Sequence, residues 1–380
     1  MSRFACYALL VGIACFAQEP AAPPQPVRSP ELDSAGRVTF RLLAPKASQV
    51  LLRADFLKAR QPLSKDEKGL WSVTVGPLDP DIYTYEFVVD GVRTIDPNNP
   101  SVKYTSRPSE TSSQIEAPSR APMFYDARQT PHGIVQIRWY HSKSLETERR
   151  VHVYTPPGYE RGAGKYPVLY LLHGAGGDDS VWVALGRVNL ILDNLIAEGK
   201  IAPALVVMPY GYAARPAPLS ASDVLSGDRQ RAGFERDLIN DVIPFIQANY
   251  RVETNRDDRA IAGLSMGGGQ SLEIGLRHPE LFSRIAGFSS GLVRGVTEQI
   301  EQLAAGAKNP NEQYRLIWIG CGTEDRLYPA NQQLSELLTK KGIKHTWRST
   351  GGAHTWQVWR RYFHESAPLL FPKTRERAGR

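Results

Sequence analysis

The sequence predicts two folded units, a small β-sandwich followed by an α/β unit on a mainly parallel sheet. Three observations carry that expectation. The 380 residues exceed one average domain. From Val38 to about Glu116 apolar residues recur with period two, in "VTFRLL", "QVLLRA", "LWSVTV" and "IYTYEFVVDG", as in half-buried strands. From roughly Met123 onward, continuous apolar runs alternate with amphipathic stretches, as strands buried beneath helices do.

The first element is "MSRFACYALLVGIACFAQEP", where Arg3 precedes an apolar run from Phe4 to Phe16, closed by Ala17 and a polar break. This is a secretory signal pattern over residues 1–17, and it predicts a secreted or periplasmic protein. The run is short of the roughly 20 residues of a spanning helix, so no membrane span is expected. Cys15 is the candidate for a lipoprotein variant, although Gly12 stands where a larger aliphatic residue is expected. Removal of the leader leaves Cys321 as the lone cysteine and predicts no disulfide framework. A Pro-rich linker, 18–27, follows.

The sandwich is assigned to residues 28–118. Its strongest local signal is Asp90-Gly91 between "YEFVV" and "VRTI", because glycine accepts the positive φ of a type I′ hairpin turn. Trp71, Tyr83, Tyr85 and Phe87 alternate along these strands and read either as core or as a sugar-binding face. The Pro-, Ser- and Thr-rich stretch 99–122 marks the boundary. The α/β unit then spans 119–372, and the basic "KTRERAGR" at 373–380 reads as a solvated tail.

Within the α/β unit, "YPVLYLLHG", "PALVVMPYG", "RAIAGLS", "RIAGFSS" and "YRLIWIGCG" read as buried strands, each followed by a helical segment. "FERDLINDVIPFIQANY" places Leu238, Ile239, Val242, Ile243 and Ile246 along one helical face. The long polar stretch Gly211 to Phe234 is expected to form a rim or lid.

Composition excludes several function classes. The net charge of +7 is diffuse, and no Lys/Arg run tracks with aromatics as a nucleic-acid groove would, so no nucleic-acid partner is expected. Acidic polysaccharide is compatible with the charge. No histidine pair stands at zinc-helix spacing, Cys321 has no thiol partner, and Gly174 to Gly177 lack the Lys-Ser/Thr of a phosphate loop. Neither metal nor cofactor is predicted.

Two stretches match G-x-S-x-G: "GLSMG" around Ser265 and "GFSSG" around Ser289. Ser265 follows an apolar strand and leads directly into "GGGQSLEIGLRHP", whose glycines permit a sharp strand–elbow–helix turn. Ser289 lacks such a glycine-lined helix start. A serine hydroxyl needs an imidazole to take its proton and an acid to orient that imidazole. In the α/β-hydrolase arrangement both follow the serine, in the order acid, then histidine.

Asp325, in "CGTEDRLYP" beyond an apolar strand, is the only aspartate after Ser265, and Glu324 is the alternative. Of His278, His345, His354 and His364, only His354 occupies a loop between strand and helix, in "STGGAHTWQVW". The oxyanion donors are expected at Met266 and Ala175, with Gly174 next to them. His173 precedes the serine and is expected to order the loop after "VLYLLHGAGG". Gly174, Trp182 and Trp356 are the candidate substrate-binding residues, and Trp359 is a further aromatic that faces either the site or the core.

These motifs, with "VVMPYG", "DLINDVIPFIQANYRV" and "RAIAGLSMGGGQSL", resemble the esterase D-like α/β-hydrolases, and among them the feruloyl and acetylxylan esterases of carbohydrate esterase family 1. Residues 28–118 resemble the early-set immunoglobulin-like domain akin to carbohydrate-binding module family 48, which implies an immunoglobulin-like β-sandwich ahead of an α/β-hydrolase. The resemblance implies a secreted serine esterase that cleaves feruloyl or acetyl esters on plant cell-wall polysaccharide or oligosaccharide through an acyl-enzyme. By position it places the nucleophile on Ser265, the acid on Asp325 and the base on His354. It also implies α-glucan or xylan contact by, or mere docking of, residues 28–118. A siderophore trilactone esterase and a non-catalytic carbohydrate-binding protein are the alternatives.

Overall fold

The computed structural model describes residues 26–103, 111–213, 228–291, 294–306 and 309–373. The expected leader, the start of the linker, the tail beyond Lys373 and most of the expected lid lie outside the described residues.

Residues 31–117 form two sheets packed face to face. One holds Glu31–Leu32, Val38–Leu43, Leu70–Val75 and Ser64–Lys65; the other is centred on Val50–Ala54, Asp81–Val89 and Ser112–Ala117. Alternation sends Val38, Phe40, Leu52, Trp71, Tyr85 and Phe87 inward, and Tyr83 packs against that core, so these rings hold the sandwich together. Asp90 and Gly91 take φ of 45° and 88°, the positive pair of a type I′ turn, and close the Val89↔Val92 hairpin. One expectation needs correction: the stretch read as boundary contains the strand Ser112–Ala117, which pairs antiparallel with Asp81–Tyr85. Its serines mask a period-two pattern in which Ser113, Ile115 and Ala117 are buried.

The second unit is an eight-stranded sheet: β1 (Ile134–Ser142), β2 (Thr147–Thr155), β3 (Val168–Leu172), β4 (Leu205–Pro209), β5 (Arg259–Leu264), β6 (Arg284–Phe288), β7 (Leu316–Gly322) and β8 (Thr346–Thr350). The spatial order is β1-β2-β4-β3-β5-β6-β7-β8; β1 and β2 are antiparallel and all pairings from β4 to β8 are parallel. Every residue of β3, β4 and β5 is buried, because apolar clusters cover both faces. One face is covered by Val188–Ala197 and Trp356–Leu370, the other by segments including Leu238–Asn249 and Tyr328–Lys340. The helix through Leu238, Val242 and Ile246 contains one wide π turn, Leu238–Val242. The extra residue rotates Ile239 off the buried stripe and leaves it half-buried.

The two units share buried polar contacts. Arg360, buried in the C-terminal helix, donates to the carbonyls of Ile82 (3.0 Å) and Leu185 (2.8 Å) and pairs with Asp81. Gln357 Nε2 donates to the Ile82 carbonyl (2.8 Å) and to Asp55 (3.2 Å), and Ile82 itself sits in the core of the α/β unit. Removing one partner of a buried pair leaves the other uncompensated. Arg360→Met is therefore expected to cost about 3–5 kcal/mol in urea unfolding followed by tryptophan fluorescence. Adding Asp81→Leu should recover a large part of that loss; no recovery would show that Arg360 acts through something other than this pair.

Candidate active site

Parallel strands gather their following loops at one edge of the sheet, so the candidate residues converge there. Ser265 follows β5 and begins the helix Ser265–Arg277 with φ of +69°, a left-handed conformation for a residue with a side chain. That kink lifts the hydroxyl clear of the sheet. The helix can start so abruptly because a Cβ on Gly267 would lie 2.5 Å from the His173 carbonyl oxygen.

Asp325 follows β7 and His354 follows β8. His354 Nδ1 stands 2.7 Å from Asp325 Oδ2, and its Nε2 stands 3.0 Å from Ser265 Oγ. An ionised carboxylate only accepts, so Nδ1 carries the ring proton, and the Nε2 lone pair faces the serine hydroxyl. Burial works against the charge on Asp325, but the hydrogen bond from His354, its proximity and the Leu327 N–H (2.9 Å to Oδ1) outweigh it. The carboxyl lies below its ordinary pKa and stays ionised.

The loop after β3 abuts the serine. A Cβ on Gly174 would come within 2.5 Å of Leu264 Cδ1 and 3.3 Å of Ser265 Cβ, so a side chain here would have to displace the Leu264 methyl and crowd the serine. His173 fixes the loop. Its Nε2 accepts from the Gly211 N–H (2.8 Å), which leaves the proton on Nδ1 to donate to the Gly174 carbonyl (2.8 Å). Burial holds this imidazole below its ordinary pKa and hence neutral. Tyr212 accepts from the Gly176 N–H at 2.6 Å, and Asp179 ties the far end of the loop to His152 and Arg150 on β2. Ala175 lies in this loop and Met266 in the first helical turn, whose N–H groups have no carbonyl one turn back.

A cleft of about 580 Å³ opens above these groups. Gly174, Ala175, Ser265, His354, Trp356 and Trp359 line one side, and the outer face of the sandwich supplies the other. The volume suits a small acyl group with part of an attached sugar. Trp182 requires a correction: it is 1% exposed, donates Nε1–H to the Leu172 carbonyl (3.0 Å) and packs edge-on behind Trp356, with ring centroids 5.3 Å apart. It supports the cleft wall and does not line it. A tryptophan at the start of a helix gives no sequence sign of which side it faces.

The structure also assigns places to residues that spelling alone left ambiguous. Ser289, the second G-x-S-x-G serine, is fully buried; its hydroxyl accepts from Trp359 Nε1 at 3.1 Å and lies against Asp325. Trp359 in turn sets its ring edge-on to His354, with centroids 4.9 Å apart. Ser289 and Trp359 thus brace the acid and the imidazole. His278 pairs with Glu235 and Glu280, His345 with Ser335, and His364 packs on Phe124, so none of the three reaches Ser265. Burial and the neighbouring Asp325 push the Cys321 thiol up to about 12, which leaves it inert.

Known proteins resemble this chain in sequence and in fold. A family model described as putative esterase matches residues 142–370. The endo-1,4-beta-xylanase/feruloyl esterase of Xylanibacter ruminicola is 35% identical over 353 residues, which cover 90% of this chain and 46% of that protein. This chain therefore spans about half the length of that relative. An acetyl esterase of Caldicellulosiruptor saccharolyticus is 25% identical over 226 residues, 51% of this chain and 79% of the relative. Among solved structures, a CE1 ferulic acid esterase from Anaeromyces mucronatus, in complex with ferulic acid, superposes with a TM-score of 0.55 at 25% identity, covering 67% of this chain and 97% of that one. The enterobactin esterase of Shigella flexneri reaches a TM-score of 0.68 over 88% of this chain and 92% of its own, at 20% identity, a likeness of fold. A matching family model over more than half of the chain, together with a relative 35% identical over 90% of it, leads to one conclusion: the chain belongs to the esterase family and is CE1-like.

Proposed function

We propose that the chain is an exported feruloyl esterase acting on ester-decorated plant cell-wall polysaccharide. The observation that carries the reading is the hydrogen-bonded Ser265–His354–Asp325 series at the floor of a cleft walled by Trp356 and Trp359. Ser265 Oγ attacks the ester carbonyl while its proton passes to His354 Nε2, and Asp325 steadies the imidazolium. The N–H groups of Ala175 and Met266 receive the oxyanion, a contribution of roughly 100- to 1,000-fold per donor. Collapse expels the sugar oxygen, which takes the proton from His354 and leaves a feruloyl ester on Ser265. Water, deprotonated by His354, then releases the free acid and restores the serine hydroxyl.

Trp356 and Trp359, largely buried but lining the cleft, make an apolar wall that suits a hydroxycinnamoyl ring better than an acetyl group. Similarity to a xylanase/feruloyl esterase over 90% of this chain supports the same acyl class. Export rests on the leader pattern at residues 1–17. Kinship of the sandwich to carbohydrate-binding module family 48 belongs to this proposal. Its core rings are not its sugar contact, since Trp71, Tyr85 and Phe87 are buried.

The test compares ferulate release from methyl ferulate with acetate release from acetylated xylan. Ferulate release is expected to have the higher kcat/KM by roughly tenfold or more, the worth of burying an aromatic ring. A higher value on acetylated xylan would move the assignment to an acetyl esterase, and faster turnover of a catecholate trilactone would move it to siderophore hydrolysis.

A further inference from the structure

The cleft that holds Ser265 and His354 is closed on its far side by the sandwich. Its lining includes Arg53, Asp55, Thr84, Glu86, Arg93 and Lys103. Strand geometry explains why these residues appear together. Tyr85 and Phe87 point into the sandwich core, so Thr84 and Glu86 point the other way, and register sets Arg53 directly opposite Glu86. Arg93 joins them from the strand after the Asp90-Gly91 turn. The wall facing the catalytic serine is therefore charged and polar, not a flat aromatic platform for stacking sugars.

The charges on that wall do not cancel. Glu86 is 4% exposed and receives Arg53 (Nη1 to Oε1, 2.8 Å) and both prongs of Arg93 (2.6 and 2.7 Å). One guanidinium would neutralise that carboxylate; the second leaves a positive charge in the cleft. The two side chains are 50% and 36% exposed, so part of each fork still faces the cavity. The exposed Arg326 from the loop after β7 adds to the same lining. Against these three arginines stand two carboxyls among the described residues of the lining. Glu86 is already engaged. Asp55 is held through Oδ2 by Thr84 and Gln357, and burial raises its pKa and so disfavours its charge. Paired guanidinium forks with residual charge are suited to a carboxylate, which they meet with two parallel hydrogen bonds.

We propose that the sandwich wall is a subsite for the carboxylate of a uronic acid residue on the sugar side of the ester, so that the enzyme selects feruloylated chains carrying acidic sugars. The inference deepens the feruloyl esterase reading and rests on it. The acyl carboxyl is esterified in the substrate and carries no charge, so the anion that fits must come from the saccharide. The sandwich then acts as half of the substrate-binding cleft, held against the hydrolase by Arg360 and Gln357.

The experiment measures kcat/KM for ferulate release from a feruloylated arabinoxylo-oligosaccharide and from the same oligosaccharide bearing one glucuronosyl residue, at low and at high salt. The wild-type enzyme is expected to prefer the acidic substrate roughly fivefold at low salt, the worth of one partly exposed charge pair, and to lose most of that preference at high salt. In the triple variant Arg53→Gln/Glu86→Gln/Arg93→Gln, which removes the buried acid together with its partners, the ratio is expected to fall to about one. If that variant melts early, Arg53→Gln alone, which leaves Glu86 paired with Arg93, gives the second reading, with an expected fall of about twofold. Equal kcat/KM on both substrates in the wild type, or an unchanged ratio in the folded variants, overturns the subsite while leaving feruloyl esterase activity in place. Absence of ferulate release even from methyl ferulate removes the underlying reading instead, and the subsite with it.

Discussion

Replacing Ser265 by alanine is expected to lower kcat on methyl ferulate by on the order of a million-fold, because nucleophile and base act as a unit and neither is useful alone. Alanine retains a Cβ at the φ of +69°, so backbone strain and packing are preserved and KM should change little; the aromatic wall remains in place. Any residual rate, roughly 10³–10⁴ above water, would come from the oxyanion donors and from binding. The strain supplies an independent signature. Ser265→Gly removes the same hydroxyl and also relieves the left-handed conformation, so it should melt higher than Ser265→Ala by on the order of 1 kcal/mol. Steady-state turnover, active-site titration with a fluorophosphonate and thermal melting of both variants check the pair. Wild-type turnover in Ser265→Ala would refute the proposed chemistry.

The sequence was most informative where chemistry and topology constrain one another. Strands such as "VLYLL" and "RAIAGL" are apolar throughout because both faces of a parallel sheet are covered. That continuity, with the chain order of serine, acid and histidine, separated Ser265 from Ser289 although both match the same spelling. Both serines in fact have positive φ, 69° and 48°, so a tight turn alone does not mark a nucleophile. What distinguishes them is the helix starting directly at Ser265. Lateral placement was poorly legible. Trp182 and Trp356 belong to different segments with similar local patterns, and only packing decides that one stands behind the other. The strand Ser112–Ala117 was hidden because serines occupy its buried positions. The sandwich wall was least visible: Arg53, Glu86 and Arg93 look like ordinary exposed strand residues until the second unit is set against them. No local period encodes a contact between parts of the chain more than 200 residues apart, such as Gln357 with Ile82.

The choice between Asp325 and its neighbour Glu324 yields the second large effect. Asp325→Asn is expected to lower kcat by about 10⁴-fold, with the fold intact. The amide retains one oxygen, and the Leu327 N–H can still find it at the Oδ1 position. The atom left facing His354 Nδ1 is then an NH₂ group, which donates. Nδ1 must surrender its proton to accept, so the proton moves to Nε2, and the lone pair that should receive the Ser265 proton is lost. Glu324 has a different environment. It is exposed, engages Thr323 and the Gly352 N–H, and these bonds hold its pKa below the ordinary value without any contact to the imidazole. Glu324→Gln should therefore cost less than tenfold, since a neutral amide can keep an exposed loop contact. Ser289→Ala falls between the two, because it removes a hydroxyl that helps keep Asp325 ionised but leaves the hydrogen bond from His354. The order Asp325→Asn, then Ser289→Ala, then Glu324→Gln in loss of kcat/KM tests the orientation argument directly, since a carboxylate acting only through its charge would show a small and similar loss at both acidic positions.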